Sequence, residues 1–161
     1  MNKKIAELLN AQVNKEFYSA YLYLGISKFF TQQDLPGFAK WYKVQAEEEQ
    51  EHAIKIYEYL LDHDEEVLLD AIAAVKVEFK DALEAAQEAD KHEHYITEEI
   101  TKIMDVAVDE RDYKTQLFLN WFITEQEEEE QNSKEIIVKI ERLGNDKKNL
   151  YLLDKELGAR E

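Results

Sequence analysis

The run "FLNWFITEQEEEEQNSKEIIVKI" (residues 118–140) sets five glutamates and one glutamine, Glu125 to Glu130, between two strongly apolar segments. An α-helix turns about 100° per residue, so these six positions cannot share one solvated face. On that wheel Gln126 and Glu129 fall on the stripe that carries Phe122 and Ile136. Glu125 lies on the edge of the stripe, Glu128 flanks it beside Trp121, Glu127 faces away and Glu130 sits on the opposite shoulder. Two polar side chains thus enter the apolar side of a long helix. A buried carboxylate without a partner takes up a proton or carries a heavy desolvation cost, so something must neutralise Glu129.

The rest of the chain repeats this design. Its 161 residues include only one proline and four glycines, a scarcity of breakers that predicts an all-α protein forming one domain over 1–161. Apolar residues recur at spacings of three and four in four long segments. The first runs from about Ile5 to Phe30, with Ile5, Leu9, Val13, Ala20, Tyr23 and Ser27 on one side. The second runs from Pro36 to about His63, with Phe38, Trp41, Gln45, Ile56 and Tyr59 inward and Asp34 expected to cap it. The third spans about Lys80 to Val108, with Ala86, Ala89, Ile96, Ile100 and Ile103 inward, and the fourth follows "DERD" (109–112) and ends at Gly144. A short fifth helix is expected over 147–157, after a bundle occupying about 1–144.

Connection lengths set the topology. Short turns make the first and second helices antiparallel, and likewise the third and fourth. Between the second and third lie sixteen residues, "EEVLLDAIAAVKVEFK", without glycine or proline. A helix of ~27 residues is ~40 Å long, and sixteen extended residues reach ~50 Å, so this segment can cross the whole bundle. It is expected as a strap on the bundle or against another subunit, the alternative being a further piece of helix.

Each apolar stripe is interrupted near its middle by a polar residue in phase with it. These are Glu16 on the first helix, Glu49 and His52 on the second, Glu93 on the third, and Gln126 and Glu129 on the fourth. Antiparallel packing brings all of them to one height. A single such glutamate or histidine would be ordinary; the set is expected to converge. Carboxylates gathered in a low-dielectric interior repel one another unless some are protonated or cations lie among them. Two divalent metals supply the charge that matches Glu16, Glu49, Glu93 and Glu129, and Glu49-x-x-His52 places two ligands on adjacent turns. Oxygen and imidazole without sulfur suit iron or manganese, and also zinc. His63, His92 and His94 have no in-phase carboxylate and are expected at the surface, while Tyr23 and Trp121 are expected in the core.

The net charge of −16 argues against nucleic acid as a partner and is compatible with cations. The absence of cysteine excludes disulfides and thiolate sites. The first residues, "MNKKIAELLNAQVNKEFY", show amphipathic periodicity rather than a secretory core, and no run is long enough to span a membrane, so a cytoplasmic location is the default expectation.

With these residues in place, the sequence resembles the non-haem bacterial ferritins over nearly its whole length. The resemblance is carried by "NKEFYSAYLY" (14–23), "EEEQEH" (47–52), "DKHEHYIT" (90–97), "FLNWFITEQEEEE" (118–130) and "LYLLDKELG" (150–158). It implies a ferritin-like four-helix bundle with a long crossover between the second and third helices and a short fifth helix, assembled as a hollow cage of 24 chains. It implies ferroxidase activity, with Fe(II) oxidised by dioxygen or hydrogen peroxide and the Fe(III) mineral stored inside. By position, Glu16, Glu49 and His52 would hold one iron. Glu49 would bridge to a second held by Glu93 and Glu129, with Gln126 alongside and Tyr23 and Trp121 beside the centre. A third, more exposed iron position, frequent in bacterial members, corresponds to Glu48, Glu125, Glu128 and the shared Glu129.

Departures narrow the choice. Where bacterioferritins and many diiron oxidases carry a second Glu-x-x-His, this chain has Gln126-x-x-Glu129. The position of the haem-ligating methionine of bacterioferritins is Gln50, so no haem is expected. The acidic channel residues of animal ferritins correspond to Gln116 and Leu119. Two rivals to iron storage remain open at this point: a small diiron oxidase or peroxidase that stores nothing, and a structural bundle whose carboxylates are protonated or zinc-filled.

Overall fold

Local chemistry accounts for most of the helix boundaries in the computed structural model, which describes residues 1–161. Helix α1 (Lys3–Gln32) starts where the Asn2 side chain accepts from Lys4 N–H at 2.8 Å. Helix α2 (Pro36–Asp62) carries proline in its first turn, where no donor is needed. Asp34, expected as its cap, does not fill that role: it takes a left-handed φ of 58° inside the turn, and the residue at the cap is Leu35, which makes no side-chain bond. Helix α3 (Ala82–Asp109) is capped by Asp81, which accepts from Glu84 N–H at 2.8 Å, while Glu84 accepts in turn from Lys80 N–H. Asp112 caps α4 (Tyr113–Leu143) through Thr115 N–H, and Asp146 caps α5 (Lys147–Leu157) through Asn149 N–H, each at 3.0 Å.

Helices α1 to α4 form an antiparallel bundle. Lys15 pairs with Glu99 and Ser19 meets His92, which fixes α1 against α3. Gln45 meets Glu129 and Tyr59 meets Thr115, which fixes α2 against α4. Helix α5 closes one end. There Asp154 accepts from Phe38 N–H at 2.9 Å, and a Cβ on Gly37 would lie 1.7 Å from Asp154 O, so only glycine allows this approach.

Residues 65–80 form neither helix nor strand, so the crossover is a strap and the further piece of helix is ruled out. It runs along α1, which supplies the polar partners that strap backbone lacks. Asn10 donates to Glu66 O at 2.9 Å and accepts from Leu68 N–H at 2.7 Å, and Asn14 donates to Ala71 O at 3.2 Å. At Gly25 the two backbones come so close that a Cβ would lie 2.8 Å from Lys76 O.

Two apolar clusters fill the bundle. One joins Tyr23, Ile26, Phe30, Phe38, Tyr42, Ile136 and Ile140 to Leu150, Leu153 and Leu157 of α5. The other gathers Ile5, Leu9, Val13, Ile56, Leu60, Ile96, Ile100, Ile103, Leu119 and Phe122. Between them lies a buried polar layer. The inward face of α2 differs from the sequence expectation: Tyr42 and Leu60 are fully buried, whereas Trp41 and Tyr59 are only half-buried. Each wide aromatic drew the expected line one residue toward itself. His92, expected at the surface, is buried between α1 and α3, with a ring nitrogen 2.6 Å from Ser19 Oγ. Its partner is a small hydroxyl on another helix, which no spacing within α3 announces.

Replacing Gly25 by alanine is expected to lower stability by about 1–3 kcal/mol through strap displacement, outweighing the ~1 kcal/mol that alanine adds to a helix. A chemical denaturation midpoint, with amide exchange rising mainly in residues 66–76, checks this.

Candidate metal centre

One residue from each of α1 and α3 and two from each of α2 and α4 make the polar layer. Glu16, Glu49, His52, Glu93, Gln126 and Glu129 are all buried, none more than 4% exposed. Three groups of three bring a ligand atom from each member within 4.8 Å of the others: Glu16, Glu49 and His52; Glu49, Glu93 and Glu129; and His52, Glu125 and Glu129. The first two share Glu49. One continuous set of side chains thus offers two adjacent ligand groups that could each hold a cation.

A second layer holds these carboxylates by donating to them. Gln12 donates to Glu16 Oε1 at 2.7 Å, and Gln45 donates to Glu129 Oε2 at 2.6 Å and to Glu49 Oε1 at 3.3 Å. Gln126 donates to Glu93 Oε2 at 3.1 Å, and the Tyr23 hydroxyl donates to Glu93 Oε1. His52 Nδ1 lies 3.4 Å from Glu49 Oε2, and Nε2 lies 3.9 Å from Glu125 Oε1. Its ring meets Trp121 edge-on, with centroids 5.3 Å apart. Glu16 Oε2 is fully buried and has no hydrogen-bond partner. A lone pair left so in a folded interior is rare and costly, and a cation is the partner it suits.

Electrostatics points the same way. Burial raises the Glu16 carboxyl well above the usual range, and the Glu49 charge adds to it. Glu49 is raised by burial and then by Glu93 and Glu129. Glu93 is raised by burial, opposed by its bonds from Tyr23 and Gln126. Burial and Glu93 push Glu129 up to about 8. Tyr23 is raised well above 10.0, first by burial and then by Glu93, so it remains a neutral donor. Without cations the layer cannot carry its full negative charge, and a cation among these carboxylates favours their ionised form.

The structure places the remaining candidates differently from one another. Glu125 groups with His52 and the buried Glu129, and with His52 it lines an acidic recess shared with Glu47, Glu48, Glu51 and Trp121. Glu48 is ion-paired with Arg160 at 2.5 Å, Glu128 is exposed, and neither belongs to the three ligand groups. Trp121, expected in the core, is 39% exposed in the single chain. Two participants had gone unnoticed in the sequence, Gln12 and Arg160. Gln12 carried a usable signal: it stands four residues before Glu16 as Gln45 stands four before Glu49, and both pairs bond at that spacing.

A four-helix bundle with a long crossover and a shared-carboxylate pair of ligand groups defines the class of ferritin-like carboxylate bundles. The Ferritin family, described as a ferritin-like domain, matches residues 6–143, and the chain belongs to it. The bacterial non-heme ferritin of Staphylococcus saprophyticus is 41% identical over 160 residues, covering 99% of this chain and 96% of that protein. The same-named protein of Staphylococcus aureus is 36% identical with the same coverage. Among solved structures, an open pore ferritin from the hyperthermophilic archaeon Archaeoglobus fulgidus matches with a TM-score of 0.98 and 37% identity, covering 100% of this chain and 99% of that one. A closed form of that ferritin engineered by site-directed mutagenesis matches with a TM-score of 0.97 at the same identity, covering 100% of this chain and 98% of that one.

Because Glu129 keeps its proton up to about pH 8 in the folded chain but releases it near its ordinary 4.5 when unfolded, its contribution to metal-free stability is full below 4.5 and is lost as pH rises through about 8. The melting temperature of metal-free protein should therefore fall between about pH 5 and about pH 8. Glu129→Gln should flatten that fall, and Zn(II) at the upper pH should reverse it.

Proposed function

We propose that this chain stores iron and oxidises it at the buried layer, taking Fe(II) as substrate at two adjacent positions. One would be held by Glu16, Glu49 and His52. The other would be held by Glu49, Glu93 and Glu129, with Gln126 beside it. The carrying observation is that Glu49 belongs to two neighbouring buried ligand groups, because a shared carboxylate holds two irons close enough to act together. Each Fe(II) gives up one electron, so a pair supplies the two that take dioxygen to peroxide, or peroxide to water, and Tyr23 is placed beside this chemistry as a neutral hydrogen-bond donor.

The family resemblance and the bacterial non-heme ferritins support storage of the Fe(III) product in a cage of 24 chains, and a cytoplasmic location. Glu48, Glu125, Glu128 and Glu129 serve in this proposal as a third, weaker position on the acidic recess, through which iron leaves the centre. Haem and nucleic acid have no part in this proposal. No helix is long and apolar enough to cross a membrane.

Losing even an outer-shell partner of a metal site costs ~10–100-fold, so Glu49→Ala, which removes the shared ligand, should slow Fe(II)-dependent oxygen consumption by more than that. The variant should still assemble. Wild-type rates in Glu49→Ala would refute the site. Chains of 19.0 kDa in a cage of 24 give a particle of roughly 460 kDa, and a dimer in sizing would instead favour a diiron oxidase that stores nothing.

A further inference from the structure

The segment after α5 brings a fixed positive charge to the edge of the metal layer. Its course is held by Asp154 on Phe38 N–H, by the close approach at Gly37, and by Lys40, which donates to Gly158 O at 3.2 Å. Arg160 then turns onto α2. Its guanidinium carbon lies 4.2 Å above the Trp41 ring. One terminal nitrogen donates to Trp41 O at 3.2 Å and to Gln45 Oε1 at 3.1 Å, and the other donates to Glu48 Oε2 at 2.5 Å. The side chain is only 20% exposed.

Both of its polar side-chain partners bear on cation binding. Glu48 lines the acidic recess with Glu47, Glu51, His52 and Glu125. Gln45 uses its amide oxygen for Arg160 and its amide nitrogen for Glu129 and Glu49. A guanidinium has donors only and keeps its proton at any physiological pH. While it is bonded to Glu48, that carboxylate is neutralised and a lone pair is taken. A divalent cation that uses Glu48 has to compete with that bonded charge for the carboxylate.

We propose that Arg160 is a tethered competitor for the cation on the Glu48 side of the recess, so that docking of Arg160 on Glu48 and occupation of that position weaken one another. This rests on the assignment of Glu48, Glu125, Glu128 and Glu129 as the third iron position. Arg160 acts here as a positioning residue, since it touches a ligand and not the reacting atoms. Its effect falls chiefly on the weaker class of cations, because it touches Glu48 directly but reaches Glu49 and Glu129 only through Gln45. Loading the recess weakens the Arg160–Glu48 pair, and draining it restores the pair.

The test is calorimetric titration of the assembled, iron-free protein with Zn(II), resolving the tight central class from the weak recess class. Removing one partner of such a pair in Arg160→Gln should tighten the weak class by about threefold to tenfold and move the tight class by less than that. Arg160→Lys, which keeps the charge but loses the fork, should fall between the two. In a Glu48→Gln background, Arg160→Gln should have no effect, a result that a purely structural role or a long-range charge effect would not give. If Glu48→Gln weakens the recess class but Arg160→Gln does not tighten it, the competition is overturned while the third position stands. If Glu48→Gln leaves the weak class unchanged, the assignment of the third position fails and the competition with it.

Discussion

Four carboxylates buried at one height of a helical bundle are the constraint from which the rest of this structure follows. Two like charges ~4 Å apart repel by about 4 kcal/mol even at an effective dielectric of ~20, and Glu16, Glu49, Glu93 and Glu129 also lose nearly all contact with water. Apolar packing on either side has to hold them in place. That is why the core falls into two clusters, one toward α5 and one toward the opposite end, with the polar layer between them. It also explains the length of the helices: each needs several turns above and below its ligand to bury an apolar stripe large enough to offset the layer.

The same constraint selects the second layer. Gln12, Gln45, Gln126 and Tyr23 all present N–H or O–H groups to the carboxylates, so each stabilises the ionised form that a cation needs. These bonds do not supply enough charge compensation on their own, as the raised carboxyls and the unpartnered Glu16 Oε2 show. The layer is thus pre-shaped but under-neutralised, a condition that divalent cations would relieve. Its two halves differ: His52 gives nitrogen to the first ligand group, whereas the second is built from carboxylates.

Most of this was legible because helical periodicity turns sequence spacing into shared direction. Glu16, Glu49, His52, Glu93, Gln126 and Glu129 stand out as polar residues in phase with apolar ones, and antiparallel topology converts mid-helix position into common height. The strap was legible from arithmetic on length alone. What escaped were contacts between elements that no period links. His92 is buried because Ser19 of α1 faces it. Asp34 failed as a cap because the turn forces it into a left-handed conformation. Arg160 reaches α2 only because Gly37 lets α5 approach so closely.

A division of labour follows from where the ligands originate. Every member of the three ligand groups comes from the four helices of one chain, so assembly is not required to complete the centre. The strap face is different. Tyr21, Leu24, Leu68 and Leu69 are each about half exposed or more, around an apolar groove of about 410 Å³ that they line together with Val13, Phe17, Ala20 and Ile72. Apolar surface of this kind on a highly charged chain suits contact with another copy, and the groove adjoins the acidic recess beside His52, with Glu47 and Gln50 lining both. Assembly through such a face would therefore place a neighbouring copy at the edge of the recess, while the buried ligand groups stay within one chain.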